Sequence, residues 1–372
     1  VLSVPPHEPA RLDRRRLRFR PLAERTSRVV FPRDAVSPDA EGRTLPSAGE
    51  ALLDEAAARI RAARAAGRSV MLATGAHAIK NGLGPVLIAL IRDRWLTHLA
   101  TNGAGIIHDW ELAFQGATSE DVRENVAVGD FGAWEETGRF LSLGLLVGAW
   151  RGLGYGASIG AMIAGEGLDI PERAELEDAA RGYASDAERA SSAIELRAAL
   201  EEFAIPSGRL SILHPGKAWS VQAAAYELGV PFTGHPMIGH DVIYEHPLAS
   251  GSAIGRAGMR DFLCFAEGVS RLADGVYLSV GSAIMSPMIF EKSLSMARNI
   301  ARQRGEVIED HFMLVVDLAQ AAWNWAADGE PPEDNPAYYL RYCKSFSRMG
   351  GTMRYLSADN RDFLLGLRRR LR

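Results

Sequence analysis

The chain has 372 residues, 47% of them hydrophobic and 24% charged, with a formal net charge of −4. This composition excludes a disordered or fibrous chain, and the weak negative charge excludes a whole-protein nucleic-acid footprint. Two cysteines, Cys264 and Cys343, make neither a disulfide framework nor a zinc cluster, and no apolar run reaches the roughly 18 residues of a membrane span.

Residues 1–45 read as an arm. Pro5, Pro6, Pro9, Pro21, Pro32, Pro38 and Pro46 deny it a long helix, and six arginines lie between Arg11 and Arg20. A solvated or subunit-wrapping arm is the expectation, over a nucleic-acid tail. No apolar stretch of the signal-peptide kind follows these arginines, so the sequence predicts a cytoplasmic protein.

Residues 46–372 read as one elaborated α/β domain. Ala51, Leu52, Ala56, Ile60 and Ala63 recur at helical spacing, and Gly67 ends the run. Ser69–Ala73 reads as a buried strand, followed by Gly75 and a helix over Leu83–Trp95. Leu96–Thr101 reads as a second strand, and the turn Asn102–Gly105 leads into a helix near His108. Strand, glycine turn and helix thus repeat within about 35 residues, the rhythm of a doubly wound, mostly parallel sheet. Residues 110–200 read as helix and loop, with one solvated amphipathic helix over 173–203. Further strands are expected at Leu210–Leu213, Val230–Thr233, Gly275–Val280 and His311–Leu318, with helices at 216–228, 258–273 and 287–304.

In such sheets ligands bind beyond the carboxyl ends of the strands. Three turns stand there: Thr74-Gly75-Ala76-His77, Asn102-Gly103-Ala104 and Gly281-Ser282. Their small residues let backbone N–H groups approach a nucleotide. The run Gly152-Leu153-Gly154-Tyr155-Gly156 follows no strand, so it is not read as a dinucleotide fingerprint. His108 and Asp109 stand just after the second turn. The segment Gly234–Asp241 holds His235, His240 and Asp241, but its spacing matches no zinc pattern and no metal is expected. An amine or cofactor pocket with Asp241 as its anion is the expectation. Only four lysines occur, Lys80, Lys217, Lys292 and Lys344, against 38 arginines, and arginine stays protonated and cannot serve as a neutral amine. Lys344 lies among Tyr338, Tyr339 and Tyr342, whose rings would desolvate its ammonium.

Over residues 50–360 the chain resembles the deoxyhypusine synthase family, which includes homospermidine synthases. The segments MLATGAHAIKNGLG, THLATNGAGIIHDWE, PFTGHPMIGHDVIYEHP, GVYLSVGSAIM and PAYYLRYCKS are similar to that family's motifs and in the same order. The resemblance implies a Rossmann-like fold, NAD as cofactor, a small amine or polyamine substrate, and a homotetramer with sites between subunits. It implies cofactor contacts at Thr74, Gly75, Ala76, His77, Asn102, Gly103, Ala104, Gly281 and Ser282. It implies catalysis by Lys344 as an imine-forming amine with His108, Asp109 and Asp241, and substrate contacts from His240, Tyr338 and Tyr342. The activity implied is transfer of an alkylamine group after NAD oxidises the donor.

The sequence departs from the family where carboxylates should bind polyamine cations. The paired acids of one motif are His108 and Asp109, a lysine–histidine pair is Met285 and Ser286, and a glutamate is Tyr338. An alternative follows from the same residues. TNGAGIIHDWE is also similar to the GNALAVHDIE-like element of archaeal-type ornithine cyclodeaminases, which use NAD to release ammonia from an amino acid, with Arg341 placed to hold a substrate carboxylate. A non-catalytic nucleotide-binding relative is the third reading.

Overall fold

The computed structural model describes residues 10–320 and 323–372. Its centre is a sheet of six parallel strands: β1 (Val70–Thr74), β2 (His98–Asn102), β3 (Phe232–His235), β4 (Val276–Val280), β5 (Phe312–Asp317) and β6 (Thr352–Ser357). Their spatial order is 3-2-1-4-5-6, and every pairing is parallel. This is the order of dinucleotide-binding doubly wound sheets, with the reversal between β1 and β4. The expected α/β class is therefore what the chain adopts.

Burial on both faces explains why these strands read as unbroken apolar runs. Val70, Leu72, Leu99, Leu278, Leu314 and Val316 face one core. Met71, Ala73, Ala100, Tyr277, Met313 and Val315 face the other. The period of two is strict even though both phases are hydrophobic. The first face is covered by α1 (Ser47–Ala65), α2 (Gly84–Arg92) and α3 (Gly103–Gln115). A long insertion follows α3 before β3 begins. It contains α4 (Glu135–Trp150), α5 (Tyr155–Ala164), α6 (Arg173–Arg181), α7 (Ala187–Glu202) and α8 (Val221–Glu227). The second face is covered by α9 (Gly251–Ser270), α10 (Met285–Gln303) and α11 (Arg341–Ser347). The closing helix α12 (Asn360–Leu371) returns to the first face.

Three elements differ from expectation. The segment at 210–213 is not in the central sheet: Gly208–Ser211 pairs antiparallel with Gly167–Ile170 in a separate ribbon, which meets the core only through Leu168, Ile170, Leu210 and Ile212. The stretch 173–203 is two helices, because the turn at Gly182 ends α6 and the Asp186 side chain accepts from the Arg189 N–H at 2.9 Å to start α7. Strand β6 is absent from the sequence reading. It follows Gly350 and Gly351, both at positive φ, and only Met353 and Leu356 of its six residues are buried.

The described part of the arm packs on its own chain. The Arg14 guanidinium donates to the carbonyls of Tyr244, His246 and Ala249. Val36 N–H donates to the Gly82 carbonyl at 2.9 Å. Arg25 reaches furthest in: it makes two parallel bonds to Glu111 of α3, at 2.7 and 2.8 Å, with both side chains buried. Residues 1–9, with Pro5, Pro6 and Pro9, lie outside the described residues. Among the described residues no helix is long and apolar enough to cross a membrane.

Removing one partner of a buried ion pair leaves the other charge stranded, at a cost of about 3–5 kcal/mol. Arg25→Ala should therefore lower the urea midpoint sharply, while Arg15→Ala, at an exposed pair with Glu202, should leave it in place. Equal midpoints for the two variants would show that the arm contact is dispensable.

Candidate functional site

All three glycine turns lie at the carboxyl edge of the sheet. Thr74 ends β1 and Gly75 opens the turn that follows. A Cβ on Gly75 would lie 2.3 Å from the Gly281 carbonyl oxygen, so the turns after β1 and β4 touch where the strand order reverses. Gly281 has φ +60°, a region that favours glycine, and a Cβ there would meet the Asn360 amide at 2.4 Å. Ala76 is buried and His77 exposed. Ser282 Oγ accepts from the N–H of Ser286, in the first turn of α10, at 3.2 Å.

A cavity of about 760 Å³ opens beside this contact. Gly281, Ala283, His77 and Asn81 line one wall, and Asp317, Asp359, Asn360 and Arg361 line another; Glu41, Arg43 and Asp362 close it. Asp317 is the last residue of β5, and its Oδ1 accepts from the Ala319 N–H at 3.1 Å. Asp359 caps α12 through the Arg361 N–H at 2.8 Å, and Asp362 accepts from the Arg43 N–H at 2.8 Å. Asp317, Asn81, Asn360 and Arg43 went unnoticed in the sequence. For Asp317 a signal existed, since an acid ending a buried parallel strand stands where ligands bind.

The second turn does not line this cavity. Asn102 Oδ1 accepts from the Gly105 N–H at 3.0 Å and starts α3. The Asp241 carboxylate folds back over this turn, so that a Cβ on Gly103 would lie 2.1 Å from Asp241 Oδ2. Burial pushes the Asp241 carboxyl up to about 6, against the lowering effect of the Tyr244 hydroxyl, His240 and the Met237 and Ala104 N–H groups. The structure thus joins Asp241 to Gly103 and Ala104, which are far apart in sequence. His240 beside it is exposed.

His108 and Asp109 diverge. Asp109 is buried, and it accepts from the Ser220 hydroxyl at 2.6 Å, the Val221 N–H at 2.8 Å and both nitrogens of Gln222. It holds the start of α8 and is saturated there. His108 Nδ1 instead meets Thr118 Oγ1 at 2.7 Å, and Lys80 and His77 are near enough for their charges to act on the ring.

Lys344 makes an aromatic contact. Its Nζ lies 3.3 Å from the centroid of the Tyr338 ring, on α11, and it does not line the cavity. Tyr342 is buried, with its hydroxyl 3.3 Å from that of Tyr355. The Arg341 side chain lies outside the described part of the structure.

The run Gly152–Gly156 has a packing role. Asp261 of α9 accepts from the Gly156 and Gly234 N–H groups at 2.8 and 2.6 Å, and a Cβ on Gly154 would lie 1.8 Å from Asp261 Oδ1. Burial pushes the Asp261 carboxyl up to about 7. The sequence held a trace of this, because Ala257, Asp261 and Phe265 share the buried stripe of α9.

The fold and site defined here are those of a doubly wound α/β protein with a cavity at its switch point. No family model and no curated protein matches the chain. Solved structures do match. Unliganded AgrE is 15% identical over 88% of this chain and 34% of its own, with a TM-score of 0.43. The complex of AgrE with ornithine and NAD+ is likewise 15% identical over 88% and 34%, at 0.42. ArgZ, an arginine dihydrolase from the ornithine-ammonia cycle in cyanobacteria, is 16% identical over 88% and 33%, at 0.42. A conserved LOR/SDH protein from Methanococcus maripaludis S2 is 12% identical over 90% and 73%, at 0.42. The chain spans about a third of the length of AgrE and ArgZ. None of these is a deoxyhypusine synthase. The resemblance to that family, and the alkylamine transfer from a polyamine drawn from it, are corrected accordingly. Lys344, on which that chemistry hung, has its Nζ over the Tyr338 ring and does not line the cavity.

Because the Asp241 carboxyl is raised in the fold, its ionisation opposes folding. Stability contributed by this group is greatest below about pH 4 and declines as pH rises through about 6. Asp241→Asn should remove that decline, so the variant gains on the wild type between pH 4 and 6 and holds a constant lead above. Chemical denaturation across pH measures this, and parallel curves would refute the burial of an ionisable group here.

Proposed function

We propose that the chain binds NAD+ at the switch point and releases ammonia from a small amino acid bearing a second amine, of the ornithine type. The carrying observation is the mixed charge of the cavity, whose lining includes Asp317 and Glu41 together with Arg43 and Arg361. A polyamine offers only cations and would need only carboxylates. A diamino acid offers amines and a carboxylate, and charge-assisted bonds to both are available here.

The residues present fit a dinucleotide. The cavity falls within the size range of small-molecule sites, at the crevice where such sheets bind nucleotides. Asn81, Asn360 and His77 offer hydrogen-bonding groups for hydroxyls and amide, and Arg43 and Arg361 offer charge for phosphates. The turns Thr74 to His77 and Gly281 to Ser282 would form the backbone surface beneath it. When bound, NAD+ would accept a hydride and return it, so that loss of ammonia and ring closure by the second amine need no other oxidant.

In this reading Asp317 holds an ammonium group, and Arg43 or Arg361 the carboxylate.

Calorimetry with NAD+ and an ammonia-release assay with ornithine test the proposal. Asp317→Asn should lower kcat/KM by about 10- to 100-fold, the worth of one charge-assisted hydrogen bond, with NAD+ affinity retained. Absence of NAD+ binding to the wild type would instead favour a protein without this chemistry.

A further inference from the structure

The contacts of His108 determine which of its nitrogens carries the proton. Arg25 holds Glu111 by two bonds, at 2.7 and 2.8 Å. Glu111 also accepts from the Thr137 hydroxyl at 2.9 Å and from the Thr118 hydroxyl at 2.5 Å. Burial alone would raise the Glu111 carboxyl; the Arg25 charge and these hydrogen bonds outweigh it and hold the group below its ordinary value. Glu111 is therefore a carboxylate and only accepts. A threonine hydroxyl has one hydrogen, and that of Thr118 goes to Glu111. Thr118 Oγ1 can then only accept from His108 Nδ1, 2.7 Å away, so Nδ1 carries the hydrogen.

Nε2 has no hydrogen-bond partner among the described residues. The groups facing the ring are Lys80 and His77 from the turn after β1, Glu111 from its own helix and Arg25 from the arm. Burial pushes the imidazole down to about 4; Glu111 works against this, while Lys80, Arg25 and His77 add to it. The ring is neutral at physiological pH, and its exposed neighbour His77 lines the cavity.

We propose that Arg25, Glu111 and Thr118 form a positioning chain that locks His108 as the Nδ1–H tautomer, so that Nε2 serves as a neutral acceptor for an N–H group of the bound ligand. The acceptor role rests on the ligand site proposed above; the lock does not. A ring so held accepts a hydrogen bond without taking the proton. Arg25 thereby couples the arm to the site, since its loss would free Glu111 to reprotonate and Thr118 to rotate.

Long-range ¹H–¹⁵N spectra of the histidine-labelled protein, with His108 assigned by His108→Gln, test this directly. The wild type should show Nδ1–H and bare Nε2 at His108, unchanged from pH 8 to pH 5. Thr118→Val should release the lock and give mixed tautomers, and Thr118→Ser should restore it. A wild-type ring that is Nε2–H, or that titrates near pH 6.5, overturns the lock whether or not Thr118→Val folds. Adding NAD+ with ornithine should shift the Nε2 resonance, and an unmoved resonance in protein that binds NAD+ overturns the acceptor role. Failure to bind NAD+ in calorimetry, with the tautomer locked, counts against the functional reading and leaves the lock standing.

Discussion

The contact between Gly75 and Gly281 is the constraint on which the rest of the molecule turns. Strands β1 and β4 are neighbours, but the helices that follow them leave toward opposite faces of the sheet. A crevice must open where the two turns part; the absence of a side chain at Gly75 lets the two backbones meet there, and its absence at Gly281 lets Asn360 close in. Any side chain at Gly75 would drive the strand ends apart. The walls then come from whatever β5, β6 and α12 deliver to the same edge, which is how Asp317 and Asn360 arrive beside His77.

The acids of this protein divide by what their oxygens already hold. Asp109 and Asp261 are buried and saturated, Asp109 by the Ser220 hydroxyl and the Val221 and Gln222 groups at the start of α8, Asp261 by the N–H groups of Gly156 in α5 and Gly234 in β3. Such a carboxylate offsets its desolvation by satisfying helix donors, and it has no capacity left for a ligand. Asp317 accepts from the Ala319 N–H, has the Tyr342 hydroxyl beside it, and lines the cavity. Asp241 lies between these cases, packed on Gly103 and raised by burial. Composition cannot tell these four apart, because the distinction lies in neighbours supplied from across the fold.

Much of the architecture was legible. Five of the six strands were visible as short apolar runs ending in glycine or polar residues, and the repeated strand–glycine–helix rhythm implied a parallel sheet. Strand β6 was not, because an edge strand of mixed burial carries Arg354, which pairs with Glu55 of α1, and lacks the unbroken apolar signal. The strand at 210–213 is real but pairs in a separate ribbon, since a short apolar run does not reveal which sheet it will join. The aromatic setting of Lys344 was read correctly as a setting, with Tyr338 under its ammonium, but a neighbouring ring does not report where the cavity lies.

The sequence alone determined the class: enough apolar residues in the right rhythm for a doubly wound sheet, and glycines at the strand ends where ligand turns belong. Tertiary structure decided everything that depends on partners distant along the chain. It set the order 3-2-1-4-5-6, brought Asp241 to Gly103, gave Asp109 to α8, and threaded Arg25 to Glu111 and so to His108. The reason is physical. Periodicity and turn chemistry act over a few residues, whereas the protonation and role of a buried polar group follow from the donors and charges that folding places around it.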